Sequence, residues 1–385
     1  MSDDASGKTS RPPPSPLLAM RDALAACDVQ IVALLAERMR LIRRVAELKA
    51  QTRLPSFDRE REGAHLGDLL STASSMDVPA EVVRDVFSTL FAASRVAQRR
   101  YLQAKETHYS IGIIGGTTGM GAFMARLLDT AGYPVETTGK ERGAPNEEVA
   151  ARHDLVIVAV PIAATVQVIE SIAPHVRPGA CLADVTSVKR APLAAMMQHA
   201  PEGVEVVGTH PMFGPNGSDM DRQRVVLCRG RGEVGFARVK RLYESFGAEV
   251  IEASAEEHDA QMALIQVLVH EKTMVLGSVL ERMKASLTRS LQFASPIYRA
   301  ELSMIGRMFS QSAELYADIL TVNPEGAHSS HVFGEEAARF ANAVKEGDRE
   351  GIVTRFREIA AYMAEFASWA KKESDAILSD IVKHG

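Results

Sequence analysis

Two groups of residues in this 385-residue chain have types and spacings suited to chemistry. The first is cationic. Arg38 and Lys49 stand 11 residues apart, which at about 100° per residue returns them to within roughly 20° of each other, three turns along one helix face. Arg21 lies 17 residues before Arg38 and points roughly 100° away, so one helix cannot converge all three, whereas antiparallel pairing with a partner helix can. Arg61 and Glu62 follow, and Ser94 and Gln98 share a face at i and i+4. A solvated basic face is the ordinary meaning of such charges, but the cluster also suits a small anionic substrate whose carboxylates take charge-assisted hydrogen bonds. The second group is the glycine-rich run Gly115, Gly116, Thr117, Thr118, Gly119, Met120 and Gly121 within "SIGIIGGTTGMG". It approaches the G-x-G-x-x-G dinucleotide fingerprint, with Gly116 first, Gly121 last and Thr118 in the middle position. A middle glycine lets the backbone approach a pyrophosphate, so Thr118 is expected to crowd that approach. Where an acidic residue ordinarily holds the ribose hydroxyls, "VETTGKERG" supplies Gly139 and Lys140.

The elements that must position these residues follow from periodicity. From Leu17 to Gln51 apolar residues recur at helical spacing (Leu24, Ile31, Leu34, Leu35, Ile42, Val45, Leu48) without Pro or Gly. A helix roughly 50 Å long cannot hide its stripe inside a hundred-residue monomer, so it is expected to pack on a second copy of the chain. Pro55 ends the run, Asp58 is placed to cap a second helix, and a third covers about Pro79 to Lys105. Beyond, the runs "IGIIG", "VETT", "DLVIVAVPI", "CLADVTS" and "EVVGTHP" alternate with helical sequence, the rhythm of βαβ units and a parallel sheet. After about residue 255 only helical patterns remain, at Glu256 to Arg282, Pro296 to Leu320 and Gly334 to Ile381. The expected organisation is multidomain: a disordered tail at 1–14, an all-α domain at 15–106, an α/β Rossmann-like domain at 107–255 and an all-α dimerisation domain at 256–385.

A net charge of −5 argues against nucleic acid as a partner. Cys27, Cys181 and Cys228 show neither disulfide nor metal-ligand spacing, which points to no metal and a reducing, cytoplasmic setting. The longest apolar run, around "LVIVAVPIAATVQVI", is broken by Pro161 and too short for a bilayer, and "MSDDASGKTSRPPPSP" lacks a signal core, so no membrane is expected.

The first third, from "LLAMRDALAACD" through "LLAERMRLIRRVAELK" and "DREREG" to "SRVAQ", resembles the helical chorismate mutases, specifically the mutase half of the bifunctional chorismate mutase/prephenate dehydrogenase family. The resemblance implies an intertwined homodimer whose site uses Arg21 from the other chain with Arg38, Lys49, Asp58, Arg61, Glu62, Ser94 and Gln98. Arg21, Arg38 and Arg61 then hold the carboxylates of chorismate, Lys49 and Gln98 donate to its ether oxygen, and Glu62 accepts from the ring hydroxyl. Downstream, "AVPI", "DVTSVK", "GTHPMFGP", "EHDAQM" and "SPIYRAELSMIGRMFSQSAELYADI" resemble the dehydrogenase half. By that likeness His210 accepts the proton of the prephenate C4 hydroxyl, Ser187 orients that hydroxyl and His210, Arg307 clamps a carboxylate, and His270 lines the pocket. The implied product is 4-hydroxyphenylpyruvate, with NAD or NADP as cofactor.

Each residue has a plainer reading: His210 bonded to backbone, His270 as a core histidine, Arg307 paired with Glu301. Three departures fall on the cofactor side or near the reacting centre: Thr118, the Gly139 and Lys140 pair, and Val269 and Glu271 flanking His270. Lys140 and Arg142 favour the 2′-phosphorylated cofactor. Two alternatives therefore stand beside the dehydrogenase: methylation with S-adenosylmethionine, whose sulfonium Glu271 would favour, and a non-catalytic regulatory module.

Overall fold

The computed structural model describes residues 15–52, 59–103, 109–140, 143–217 and 219–383, which fall into two compact units divided between residues 107 and 108. The first is three helices, α1 (Ser15–Thr52), α2 (Arg59–Ser75) and α3 (Ala80–Gln103). With 38 residues, α1 is about 57 Å long. Helix α3 packs on both neighbours, burying Ala46, Ala73, Val83 and Phe91. Pro16 through Leu34 stay exposed in the single chain, and with them Leu24, Ile31 and Leu34 of the apolar stripe. Asp58 lies outside the described residues.

The second unit is built on a seven-stranded sheet ordered β2-β1-β3-β4-β5-β6-β7. In chain order it runs β1 (Ile111–Ile114), α4 (Gly119–Thr130), β2 (Val135–Thr138), α5 (Asn146–Arg152), β3 (Leu155–Val158), α6 (Ile162–Ile172), β4 (Cys181–Asp184), α7 (Arg190–His199), β5 (Glu205–Pro211), β6 (Arg224–Arg231), α8 (Glu233–Ser245) and β7 (Glu249–Ala253). The first five strands are parallel. Every residue of β1, β3 and β4 is buried, because helices cover both faces of a parallel sheet. Strands β6 and β7 were not anticipated from sequence. After β5 the chain returns as a hairpin, so β6 runs antiparallel to β5, and β7 then pairs parallel to β6.

The remaining elements are helical: α9 (Ala255–Met262), a π-helical turn (Ala263–Leu268), α10 (Val269–Arg282), α11 (Leu287–Leu291), α12 (Pro296–Phe309), α13 (Ala313–Val322), α14 (Gly326–Glu346), α15 (Arg349–Tyr362) and α16 (Ala364–Lys383). Two of the long helices expected from sequence are broken by local caps. Ser312 accepts from the Leu315 amide at 3.2 Å, starting α13. Gly347 takes a left-handed conformation with φ 69°, and Asp348 accepts from the Gly351 amide at 2.8 Å, ending α14 and starting α15. The stretch Ala255–Arg282 is long and apolar enough by composition to cross a bilayer. Here its His258 and Asp259 are buried and hydrogen-bonded to the sheet portion of the same unit.

Beneath the carboxyl ends of β4 and β5, the Lys189 ammonium donates to the Asp184 carboxylate and, at 2.7 Å, to the Thr209 carbonyl. Asp184 and Lys189 are fully buried, so neither charge has water to fall back on. Replacing Lys189 by Met should leave Asp184 uncompensated and cost the second unit about 3–5 kcal/mol. Urea unfolding followed by Trp369, the single tryptophan of the chain, reports on that unit alone. A loss below about 1 kcal/mol would contradict this account.

Candidate active sites

In the first unit, packing of α1 on α3 orients one guanidinium. Arg38 Nη1 donates to Ser94 Oγ at 2.5 Å and to the Leu90 carbonyl at 3.2 Å, and the group lies over the Phe91 ring, 5.8 Å from its centroid. Burial lowers the Arg38 pKa while Glu62 opposes the shift, and the group stays charged at neutral pH. Glu62 accepts from Arg95 Nη1 at 2.6 Å, a partner not singled out from sequence. Gln98 is buried and its amide oxygen has no hydrogen-bond partner among the described residues, an uncompensated polar group worth about 1–3 kcal/mol. Lys49 is half-buried, whereas Arg21 and Arg61 are exposed. The structure thus brings Arg38 of α1 and Glu62 of α2 against Ser94 and Arg95 of α3 and leaves Arg21 exposed.

In the second unit, a cavity of about 740 Å³ opens at the carboxyl ends of β1, β2 and β3. Gly115, Thr117, Thr118, Gly139, Lys140, Asn146 and Pro161 are among its lining residues. Gly115 turns with φ +88°, and a Cβ on Gly121 would lie 2.4 Å from the Gly115 carbonyl oxygen, so these glycines permit the turn and its contact with α4. Thr118 lines the cavity, as a residue that could crowd that approach would. It is exposed at the helix N-cap and bonds none of the first-turn amides, while the next residue, Gly119, takes the positive φ of +54° with open space around it. Those free amides and the positive end of α4 suit a pyrophosphate. A side chain at Gly139 would force Thr117 to move, because its Cβ would lie 2.3 Å from Thr117 Oγ1. Met120 faces the sheet core instead. Arg142 lies outside the described residues.

His210, at the end of β5, is 3 % exposed and is not bonded to backbone. Its Nδ1 lies 2.8 Å from His258 Nε2, and its Nε2 lies 3.4 Å from Gln266 Nε2. His258 Nδ1 in turn lies 2.8 Å from Asp259 Oδ1. Asp259 also accepts the amides of Lys189 at 2.7 Å and Arg190 at 3.0 Å. Burial, then His258 and Lys189, push the His210 pKa well below the ordinary histidine range. Burial likewise lowers His258, against the pull of Asp259, so their contact is a hydrogen bond between a neutral ring and a carboxylate. Burial alone would raise Asp259, but the His258, Arg190 and Lys189 hydrogen bonds outweigh it and keep the carboxyl below its usual range.

Ser187 does not orient His210 as expected: it forms no hydrogen bond to that ring, because His258 and Gln266 occupy its two nitrogens. His258, Asp259 and Gln266 carried no role from sequence, although "EHDAQM" contains the first two. The π-helical turn holds Gln266, and on a regular helix His258 and Gln266 would point about 80° apart. A compact apolar seam of Ile162, Val188, Met308, Tyr316 and Ile319 sets the neighbours of Val188 and Met308, namely Ser187 and Arg307. Arg307 is not paired with Glu301, which accepts instead from Lys272 at 3.1 Å. The Arg307 guanidinium lies beside Gly214 in the loop after His210. His270 packs edge-on against Tyr316, with ring centroids 5.0 Å apart, and burial lowers its pKa. Glu271 accepts from Ser330 at 2.7 Å, which commits it to the helical portion.

Family models match three stretches of the chain: chorismate mutase type II over residues 20–99, the nucleotide-binding domain of prephenate dehydrogenase over 136–252, and the prephenate dehydrogenase dimerization domain over 254–358. The T-protein of Haemophilus influenzae is 33% identical over 93% of this chain and 95% of its own length. The T-protein of Enterobacter agglomerans is 32% identical over 94% and 97%. Among solved structures, prephenate dehydrogenase from A. aeolicus, bound to hydroxyphenyl propionate and NAD+, shares the fold with TM-score 0.54 at 18% identity, covering 68% of this chain and 99% of that one. These matches leave methylation with S-adenosylmethionine, and a purely regulatory second half, without support. The nucleotide-binding match begins after the glycine-rich turn, so the reading of that turn rests on its own geometry.

Two buried neutral histidines also make a pH prediction. Unfolding releases His210 and His258 to titrate near pH 6.5, while the folded state holds both pKa values lower. The unfolded chain therefore binds more protons below that pH, and stability present above it is lost as pH falls toward the folded values. The urea midpoint seen by Trp369 should start to drop near pH 6.5, before ordinary carboxylates protonate. A midpoint constant from pH 7 to about 5 would rule this out.

Proposed function

The chain belongs to the T-protein family, which joins a chorismate mutase to a prephenate dehydrogenase, and on that premise we propose how its residues divide two consecutive reactions. It rearranges chorismate to prephenate and converts prephenate to 4-hydroxyphenylpyruvate by NAD(P)-dependent oxidative decarboxylation. The proposed domain bounds are 15–106, 107–255 and 256–385.

Chorismate is a dicarboxylate that rearranges without covalent help, so its catalyst needs to clamp a compact conformer and stabilise the ether oxygen as its bond breaks. Arg38 is the central carboxylate clamp, and its orientation by Ser94 and Phe91 supports that role. Arg61 holds the other carboxylate, Lys49 and Gln98 donate to the ether oxygen, Glu62 accepts from the ring hydroxyl, and Asp58 completes the site. The burial of the Gln98 amide beside Ser94 on one face of α3 supports a polar contact there. Arg21 reaches the site of a second copy of the chain. The exposed stripe of α1 and the dimerization-domain match support a homodimer.

In the second reaction a bound nicotinamide cofactor supplies the hydride acceptor. Gly115 through Gly121 and the α4 amides hold its pyrophosphate, and Lys140, which lines the cavity where the ribose acid is missing, selects NADP. His210 takes the C4 hydroxyl proton, a role its neutral, buried ring supports. Ser187 holds the same hydroxyl, Arg307 grips a substrate carboxylate, and His270 walls the pocket. Gln266 yields its place at His210 Nε2 to the hydroxyl. Three free thiols support a cytoplasmic location.

The observation that carries the reading is the buried His210, held through Nδ1 by His258, together with Arg307, which has no carboxylate partner among the described residues and lies beside Gly214 in the loop after His210. Arg38→Ala should cut mutase kcat/KM by at least about 100-fold, the loss of a charge-assisted contact, and leave the dehydrogenase rate unchanged. His210→Asn should do the reverse, and coincident loss of both activities would refute the division. Lys140→Ala should raise KM for NADP about tenfold without affecting NAD, and a wild-type preference for NAD would remove the NADP assignment.

A further inference from the structure

We infer that His258 and Asp259 form a relay that fixes the protonation of His210, which makes His258 the positioning residue of the dehydrogenation. This rests on the assignment of His210 as base and adds which of its nitrogens does the work.

Direction is set from the carboxylate end. An ionised Asp259 only accepts, and it already accepts the amides of Lys189 and Arg190. His258 Nδ1, at 2.8 Å from Oδ1, must therefore carry its hydrogen. A neutral imidazole has one N–H, so His258 Nε2 is a bare acceptor. His210 Nδ1 faces that lone pair at 2.8 Å and must donate. The remaining nitrogen, His210 Nε2, is thereby left bare, and it is the atom turned toward Gln266 and away from His258. One carboxylate thus selects the tautomer of two rings in series.

The same geometry acts when the base is used. The substrate O–H bond breaks, its proton forms a bond to His210 Nε2, and the electron pair left on oxygen would form the C4=O bond as the C4–H bond gives its hydride to the nicotinamide that a bound cofactor would supply. The resulting imidazolium retains its Nδ1–H bond to His258, which is itself held by an ionised carboxylate. Lys189, whose charge acts on both rings, is committed to Asp184 and the Thr209 carbonyl and gives the rings no competing donor. His210, His258 and Asp259 are 3%, 1% and 0% exposed, so bulk water cannot replace a lost partner. Without His258, His210 is free to take the other tautomer and present an N–H to the hydroxyl it should deprotonate.

The test compares His258→Leu, His258→Gln and His210→Asn in the full chain, with mutase rate, NADP affinity and Trp369 unfolding as controls. His258→Leu should lower dehydrogenase kcat at least about 100-fold, the usual reach of a misused base, and leave KM for prephenate within about threefold. Glutamine offers an acceptor and a donor in one side chain, so His258→Gln should recover most of that loss. A kcat for His258→Leu within about twofold of wild type, or equal loss in both variants with NADP binding gone, overturns the relay. Nitrogen-15 NMR of histidine-labelled wild-type protein bypasses folding failure: His210 protonated at Nδ1 supports the relay, and protonation at Nε2 overturns it. Full activity in His210→Asn instead removes the base assignment itself, a result distinct from failure of the relay.

Discussion

One buried carboxylate holds the second reaction centre together. Asp259 accepts the two amides that open α7 and a ring N–H from the residue before it, while its own carbonyl accepts from Asn323 at the end of α13 at 2.9 Å. The loop carrying Ser187, the strand end carrying His210 and the end of α13 are thereby referred to a single point. Hydrogen bonds to a charged group contribute about 1.5–3 kcal/mol each, and in a site without bulk solvent their directions persist. The apolar seam around Tyr316 and Val188 supplies contact but no direction, so the polar node decides where each side chain points.

Much of this was legible in the chain. The α1 stripe and the βαβ rhythm are periodic signals over many residues, and they gave the right element types because local preference and burial agree there. Legibility failed where one residue decides. Gly347 and Ser312 break helices whose apolar pattern runs straight through them. Strand β6 escaped notice because its outer end, Arg229 to Arg231, reads as polar loop, although Arg229 lies flat over the Phe236 ring at 3.7 Å. His258 and Asp259 are adjacent in sequence, and adjacency says nothing about a histidine 48 residues away. Only the fold brings them together.

The glycine-rich turn shows how a fingerprint can depart from pattern and keep its physics. Thr118 replaces the usual middle glycine, but it sits at the N-cap of α4 without bonding the first-turn amides, and the left-handed residue is the next one, Gly119. The loss of an acidic residue after β2 is matched on the facing loop, where Thr117 fills the space that a side chain at Gly139 would need. The pocket thereby exchanges a negative rim for a positive one at Lys140.

The wide turn at Ala263–Leu268 has a consequence for how this helix can change over time. It acts as a phase adjuster, letting Gln266 within it and His258 before it address the same imidazole. Substitutions downstream of it, such as Val269 and Glu271, alter the wall of the cleft without rotating the parts upstream. Gain or loss of a single residue within it would turn everything beyond by about 100° and uncouple the two ends. The helix is thus free to drift in chemistry but held to a constant length.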